Sequence, residues 1–139
     1  MNAMKNILLF GFFFCTLAGC KKIIESTQEN LVVKAMTDGQ WKVTRFKRDT
    51  ADVTANFAPY LFQFRTDNTV EALNNNAVES KGSWAADAAA RTIVSSFNNN
   101  AALTLQLLNG TWTITNNSWT FVEAIQTVNG EVRTLRLDK

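Results

Sequence analysis

Histidine is absent from this chain of 139 residues, and other residues that carry chemistry are scarce. Without an imidazole there is no Ser-His-Asp or Cys-His catalysis, no histidine-ligated metal and no histidine pH switch. There are only six glycines, and none of them forms a glycine-rich loop for phosphate. Charged residues make up 19% of the chain and leave a net charge of +2, so no basic surface for nucleic acid is expected.

The acidic residues also show no pattern that is typical of a known site. Asp49, Asp52 and Asn56 lack the spacing of a calcium loop. No carboxylate pair is recognisable along the chain, although a hydrolase stays an open alternative because such pairs are assembled by the fold. We therefore predict that the protein is not an enzyme and has no cofactor and no metal site.

An apolar segment lies close to the N-terminus. Residues 7–19 carry no charge and follow Lys5. Thirteen residues are too few to cross a bilayer as a helix, which takes about 20, but they suit the core of a signal peptide. The segment ends in Leu17, Ala18, Gly19 and Cys20. A buried helix or a membrane span does not explain why small residues and a cysteine stand at this point.

Leu17 to Cys20 resembles the lipobox of bacterial lipoproteins. The resemblance implies that Leu17, Ala18 and Gly19 are read by a signal peptidase and that residues 1–19 are removed. Cys20 would then be the lipidated first residue of the mature chain, with residues 20–27 as a tether. We expect attachment to a bacterial membrane, the outer membrane of a Gram-negative cell. Because Cys15 lies in the removed segment, no disulfide is expected.

One short helix is predicted before residue 39. Ser26 and Glu29 have the spacing of a capping box, which predicts a helix of about ten residues. Leu31, Val32, Ala35 and Met36 then recur at helical intervals. Gly39 is placed to end this helix in a left-handed conformation.

After Gly39 the hydrophobic period changes to two, which predicts β-strands. The eight predicted strands are 41–45, 62–64, 70–73, 79–86, 91–97, 112–115, 119–128 and 131–137. Asparagine clusters separate several of them, and Asn129-Gly130 favours a type I′ hairpin. Residues 102–108 fit either a strand or a short helix. An antiparallel meander of eight strands can close into a barrel.

Short motifs of the mature chain resemble those of small bacterial lipocalin-like lipoproteins. They are GQWKV at 39–43, FQFRTDNTVEA at 62–72, KGSW at 81–84 and LNGTWTIT at 108–115. The resemblance implies that residues 28–139 form a mostly-β, antiparallel up-and-down barrel of about eight strands with a short N-terminal helix. It also implies that Gly39 and Trp41 plug the closed end and that Arg133 or Arg136 packs over Trp41. The connection 48–59 would be a lid at the open mouth. The usual lipocalin disulfide and two further family signatures are absent.

The predicted function is binding of a small apolar ligand inside the barrel. The candidate cavity-lining residues are Phe62, Phe64, Trp84, Trp119 and Phe121. Arg45, Arg65 and Glu123 are candidates for inward polar groups that orient the ligand. The alternative is a structural or interaction lipoprotein, because small barrels often fill their interior with such aromatic side chains. Its loops would contact a protein or a glycan. The membrane, through Cys20, and the small ligand are the expected partners, and a monomer is favoured.

Overall fold

The computed structural model describes the backbone of residues 18–139 and the side chains of residues 27–139. Residues 1–17 of the predicted signal peptide, including Leu17, therefore lie outside the described residues. Only the backbone of Ala18 and Gly19 is described. The side chain of Cys20 lies outside them as well. No helix within residues 18–139 is long and apolar enough to cross a membrane.

The N-terminal helix α1 spans Ala18–Thr37 and is about twice as long as predicted. It runs through the segment 20–27, so the helix begins before Ser26 and not at it. No proline or glycine follows Gly19 until Gly39, and the helix therefore extends across this segment. Gly39 follows the helix with φ +80°, the left-handed conformation that its position predicts.

Nine strands and a second helix, which is short, follow. The strands are β1 (Lys42–Arg48), β2 (Ala51–Asp52), β3 (Tyr60–Phe64), β4 (Thr69–Asn74), β5 (Ala77–Asp87), β6 (Thr92–Phe97), β7 (Gly110–Asn117), β8 (Phe121–Val128) and β9 (Glu131–Asp138). A 3₁₀ turn spans Thr54–Phe57, and helix α2 spans Leu103–Gln106. The eight predicted strands are all present, and the added one is the two-residue strand β2.

The strands form one antiparallel sheet in the order β2-β1-β9-β8-β7-β6-β5-β4-β3. This is the predicted mostly-β, up-and-down arrangement, and the sheet curls into a half-barrel. Trp41 and Phe62 bring its two sides together, with main-chain hydrogen bonds of 2.9 Å from Trp41 N to Phe62 O and 2.8 Å from Phe62 N to Trp41 O. Beyond this single bridge, β3 remains an edge strand.

Asparagine allows the tight turns of the sheet. Asn75 and Asn76 adopt φ +49° and +66° between β4 and β5, and Asn129 adopts φ +50° beside Gly130 between β8 and β9. These positive values are the ones a two-residue type I′ hairpin needs. Asn117, by contrast, belongs to β7, and the chain turns after it.

Helix α2, Leu103–Gln106, lies within residues 102–108, so the helix alternative is correct. Leu105 and Leu108, three residues apart, are buried against the sheet, whereas Leu103 is 80% exposed. We call this end of the curled sheet the α2 end. The opposite end, where α1 lies beside Trp41 and the β5–β6 and β7–β8 turns, is the α1 end.

The connection 48–59 differs from the predicted lid at an open mouth. Its 3₁₀ turn places Phe57 fully inside the protein at the α2 end. The Phe57 ring stacks on Phe46 with centroids 5.0 Å apart, and Phe46 meets the edge of Trp112 at 5.8 Å. The α2 end is therefore closed by packed aromatic side chains.

Candidate functional site: a groove between the N-terminal helix and the sheet

The interior of the curled sheet is filled. Its cavity measures about 40 Å³ and is lined by residues that include Phe62, Phe64 and Trp112. One water molecule takes up roughly 30 Å³ of liquid, and pockets for small ligands measure about 300–1,000 Å³. The interior is therefore a packed core with no room for a small-molecule ligand.

Three of the five predicted cavity-lining residues belong to this core. Phe64 and Trp84 meet edge to face with ring centroids 5.3 Å apart. Phe62 packs against Phe97 at 6.4 Å. The indole nitrogen of Trp84 donates to the carbonyl of Arg65 at 2.9 Å, so its polar atom is satisfied within the fold. These side chains hold the sheet together.

The other two, Trp119 and Phe121, do not line the interior. Trp119 is 51% exposed in the turn between β7 and β8. Phe121 lies on the outer face of β8, where the guanidinium of Arg136 covers its ring at 4.5 Å from the centroid. Strand β8 turns its Val122 and Ala124 side chains inward, so the alternating residues that begin with Phe121 face outward.

A groove of about 810 Å³ opens at the α1 end, between α1 and the edge of the curled sheet. Its volume lies in the range of small-molecule sites. The groove is lined from α1 by Gln28, Leu31, Val32, Ala35 and Met36, and from the sheet and its turns by Trp41, Ala86, Asp87, Ala88, Ala89, Arg91, Thr92, Ile93, Ile114, Asn117, Ser118 and Val122. Most of these side chains are apolar, and the polar ones other than Gln28 of α1 lie on turns and strand ends.

Asp87 and Arg91 are the charged residues of this lining, and both flank the β5–β6 turn. Asp87 Oδ1 accepts a hydrogen bond of 3.0 Å from the Ala90 amide. Arg91 has φ +55°, and its carbonyl accepts from the Ile114 amide at 2.8 Å. The Arg91 guanidinium has no ion-pair or hydrogen-bond partner in the described part of the chain. The turn therefore presents one unpaired cation at the groove.

Trp41 is fully buried at the α1 end, where it lines both the core and the groove. Its indole nitrogen donates to the carbonyl of Met36 at 2.9 Å. The cation over its ring is Lys139, with Nζ 5.0 Å from the centroid, and not Arg133 or Arg136. The prediction that Arg133 or Arg136 packs over Trp41 is therefore wrong, because Lys139 takes that position.

The register of β9 explains why neither predicted arginine reaches Trp41. Arg136 lies on the outer face, because its neighbours Leu135 and Leu137 point inward. It pairs there with Asp138 and Glu123, both at 2.9 Å. Arg133 lies at the α2 end, where it pairs with Glu131 at 2.6 Å.

The predicted inward polar groups lie on the surface. Arg45 pairs with Glu123 at 3.1 Å, and Arg65 pairs with Glu71 at 2.8 Å. The hydrogen bond from Arg136 is the main cause that lowers the pKa of Glu123, with the positive charges of Arg136 and Arg45 adding to it. These pairs face solvent and are not available to orient a ligand in the interior.

The sequence did not indicate two features, one at the α2 end and one at the groove. Gln126 is a buried polar residue of β8 whose Nε2 donates to the Asn109 carbonyl at 2.9 Å, and its Oε1 has no partner within the described residues. The groove itself also escaped prediction. The one sequence pattern related to it is the apolar face of α1. That face predicts that the helix packs against the rest of the protein, but it does not predict a groove between the helix and the sheet.

The comparisons with known proteins support the fold alone. No protein-family model and no curated protein matches this chain. The structure is similar to the crystal structure of a DUF4847 family protein from Bacteroides vulgatus ATCC 8482, with a TM-score of 0.53 over 77% of this chain and 96% of that one. The sequences are 15% identical, so the likeness extends to the mostly-β architecture and not to a function. Among the described residues, no group of three or more acidic or cysteine side chains is placed to hold a metal ion.

Proposed function

We propose that this chain is a lipid-anchored, lipocalin-like lipoprotein of the bacterial cell envelope that binds a small, largely apolar ligand in the groove beside α1. It acts as a binding protein and not as an enzyme. The observation that carries the proposal is the groove of about 810 Å³ with its mainly apolar lining. Apolar walls with a few polar groups at one side are typical of small-molecule sites.

The location of the groove fits a protein tethered by its N-terminus. Cys20 and Gln28 lie in the same helix, eight residues apart, which is roughly 12 Å along a helix at about 1.5 Å per residue. A lipid on Cys20 would hold the groove close to the membrane surface. Apolar molecules concentrate there, and acyl chains contribute about 0.8 kcal/mol per buried CH₂ to the anchoring. The outer membrane of a Gram-negative cell is the proposed site.

A blocked groove tests the ligand claim. The full chain, in nanodiscs of a zwitterionic phospholipid, is titrated with the neutral fluorophore N-phenylnaphthylamine, and empty nanodiscs serve as the blank. Ala35→Trp places a large side chain in the groove, and Ala90→Trp adds the same side chain to the β5–β6 turn outside its lining. We expect saturable binding that Ala35→Trp weakens at least about tenfold, while Ala90→Trp binds like the natural chain. Absence of saturable binding, or equal binding by both variants, overturns the proposal.

The two cysteines allow a separate test of the anchor. Cys20→Ala removes the thiol that the lipobox resemblance assigns to lipidation. Cys15→Ala changes a cysteine in the apolar segment before it. We expect Cys20→Ala to leave the membrane fraction and Cys15→Ala to stay there. A Cys20→Ala protein that still fractionates with membranes contradicts the anchoring claim.

A second candidate function is an interaction lipoprotein that contacts a protein or a glycan. The filled interior and the 51% exposure of Trp119 favour it, because exposed tryptophans often anchor interfaces. If the protein has this function, we expect Trp119→Ala to abolish cross-linking to a partner in cells and to leave binding of the fluorophore unchanged. The exposed Leu103→Ala variant at the α2 end is the matched control.

A further inference from the structure

Arg91 has an unusual backbone conformation for its residue type. Nine described residues have a positive φ, and the eight others are asparagine, aspartate or glycine. Those types enter the left-handed region at low cost, whereas other residues pay about 1–2 kcal/mol. A glycine or an asparagine would satisfy this turn with less strain. An arginine nevertheless stands at this position although the backbone disfavours it, and strained residues of this kind are found at functional sites.

Hydrogen bonds hold the main chain of Arg91 beside the groove. Its amide donates to the Ala88 carbonyl at 3.3 Å, and its carbonyl accepts from the Ile114 amide at 2.8 Å, which fixes the turn to β7. The guanidinium itself is left unpaired, as described above. The nearby carboxylate of Asp87 caps the Ala90 amide instead of pairing with Arg91. The groove thus combines an apolar wall with one unpaired cation whose main chain is held in place.

We propose that the ligand is an anionic amphiphile whose apolar chain lies along α1 and whose head group, a carboxylate or a phosphate, pairs with Arg91. This inference rests on the proposed ligand-binding function and names the chemistry of the same site. A planar guanidinium binds both head groups through two parallel hydrogen bonds, which a neutral head group does not match. Thr92, which also lines the groove, carries a hydroxyl that can donate to either head group.

The test compares head groups on one chain length. Lauric acid, lauryl phosphate, lauryl alcohol and laurylamine compete with N-phenylnaphthylamine for the full chain in nanodiscs. We expect at least one of the two anionic compounds to displace the probe about tenfold better than the alcohol. A hydrogen bond to a charged group contributes enough binding free energy for a difference of this size. A preference for lauric acid assigns a fatty acid, and a preference for lauryl phosphate assigns a phosphate head group.

Variants of Arg91 show whether the guanidinium causes this preference. Arg91→Asn removes the charge and keeps the turn, because asparagine adopts the left-handed conformation readily. We expect it to bind the anionic compounds no better than the alcohol. Arg91→Lys regains part of the preference. Lys34→Gln, which removes an exposed cation of α1 outside the groove lining, behaves like the natural chain.

The outcomes separate this inference from the proposed function. If no compound displaces the probe and the probe itself does not bind, the ligand-binding function is wrong. If the alcohol competes as well as both anions, or if Arg91→Asn keeps the preference, the groove binds ligands and the role of Arg91 is wrong. Preferred binding of laurylamine assigns recognition to Asp87 and overturns the inference.

Discussion

The indole nitrogen of Trp41 donates a hydrogen bond of 2.9 Å to the main-chain carbonyl of Met36, and this contact ties the end of α1 to the start of β1. The same Trp41 bridges to Phe62 on the other side of the curled sheet. One residue thus connects the helix, the first strand and the partial closure of the barrel. This connection holds α1 at its C-terminal end, where both Met36 and Trp41 line the groove.

Replacement of Trp41 by phenylalanine should loosen α1. Trp41→Phe removes the donor to Met36 and leaves a smaller ring under Lys139. We expect a loss of about 1–3 kcal/mol in the free energy of unfolding and faster hydrogen exchange of the α1 amides. Trp119→Phe, at the exposed tryptophan, should change stability by less than about 0.5 kcal/mol. Equal effects of the two substitutions would show that the contact with Met36 does not hold the helix.

The stack of Phe57 on Phe46 should be a main source of stability at the α2 end. Phe57→Ala removes a fully buried ring from the 3₁₀ turn, and we expect it to cost about 3–5 kcal/mol in urea unfolding. Leu103→Ala, at a leucine that is 80% exposed, serves as the control with a change near zero. If Phe57→Ala unfolds like the control, the connection 48–59 is a loose lid after all.

Much of the fold could be predicted from the sequence because strand alternation and turn chemistry are local. Asn75, Asn76 and Asn129 mark hairpins by their tolerance of positive φ, and the flanking strands follow from the two-residue period. Strand β2 has only two residues and shows no period at all. The choice between strand and helix at 102–108 depended on whether Leu105 and Leu108 face the sheet, which is a tertiary property.

The site was harder to predict because it depends on which face of a strand is buried and on contacts distant in the chain. The large rings of Trp119 and Phe121 suggested an inward face, but the smaller side chains of Val122 and Ala124 are the ones that fit the interior. The cation over Trp41 comes from the last residue, Lys139, which the strand pattern does not place. The groove is a gap between α1 and the sheet, and no local pattern encodes a gap.

The chain's single tyrosine offers a direct spectroscopic test of the packing between β3 and β5. The Tyr60 hydroxyl donates to Glu79 Oε2 at 2.6 Å, and Asn74 donates to the other carboxylate oxygen at 3.0 Å. Burial, and then the hydrogen bond to Glu79, raise the pKa of Tyr60 to about 12. We expect the tyrosinate absorbance of the folded protein to appear near pH 12, and near pH 10 in denaturant.

The glutamate partner provides the control for this titration. Glu79→Gln removes the negative charge, so the pKa of Tyr60 should fall, although burial keeps it above that of the unfolded chain. Because the folded pKa is raised, the stabilising effect is complete below about pH 10 and is lost as the pH rises toward about 12. A folded-state midpoint near pH 10 in the natural chain would refute the contact.

Acid stability should depend on Glu131, which joins two arginines at the α2 end. Arg48 binds its carboxylate through two hydrogen bonds of 3.0 and 2.9 Å, and Arg133 Nε adds a third at 2.6 Å. The hydrogen bonds from Arg48 and then Arg133 lower the pKa of Glu131 to about 2. A lowered folded pKa contributes stability above the unfolded pKa of about 4.5, and this contribution disappears as the pH falls from about 4.5 to about 2.

We expect Glu131→Gln to flatten the fall of the urea midpoint over that range. The control is Glu29→Gln, at an exposed residue of α1 with no ion pair in the described part of the chain, which should leave the fall of the urea midpoint unchanged. A Glu131→Gln protein with the natural pH dependence would show that the two arginines do not stabilise the fold through this carboxylate.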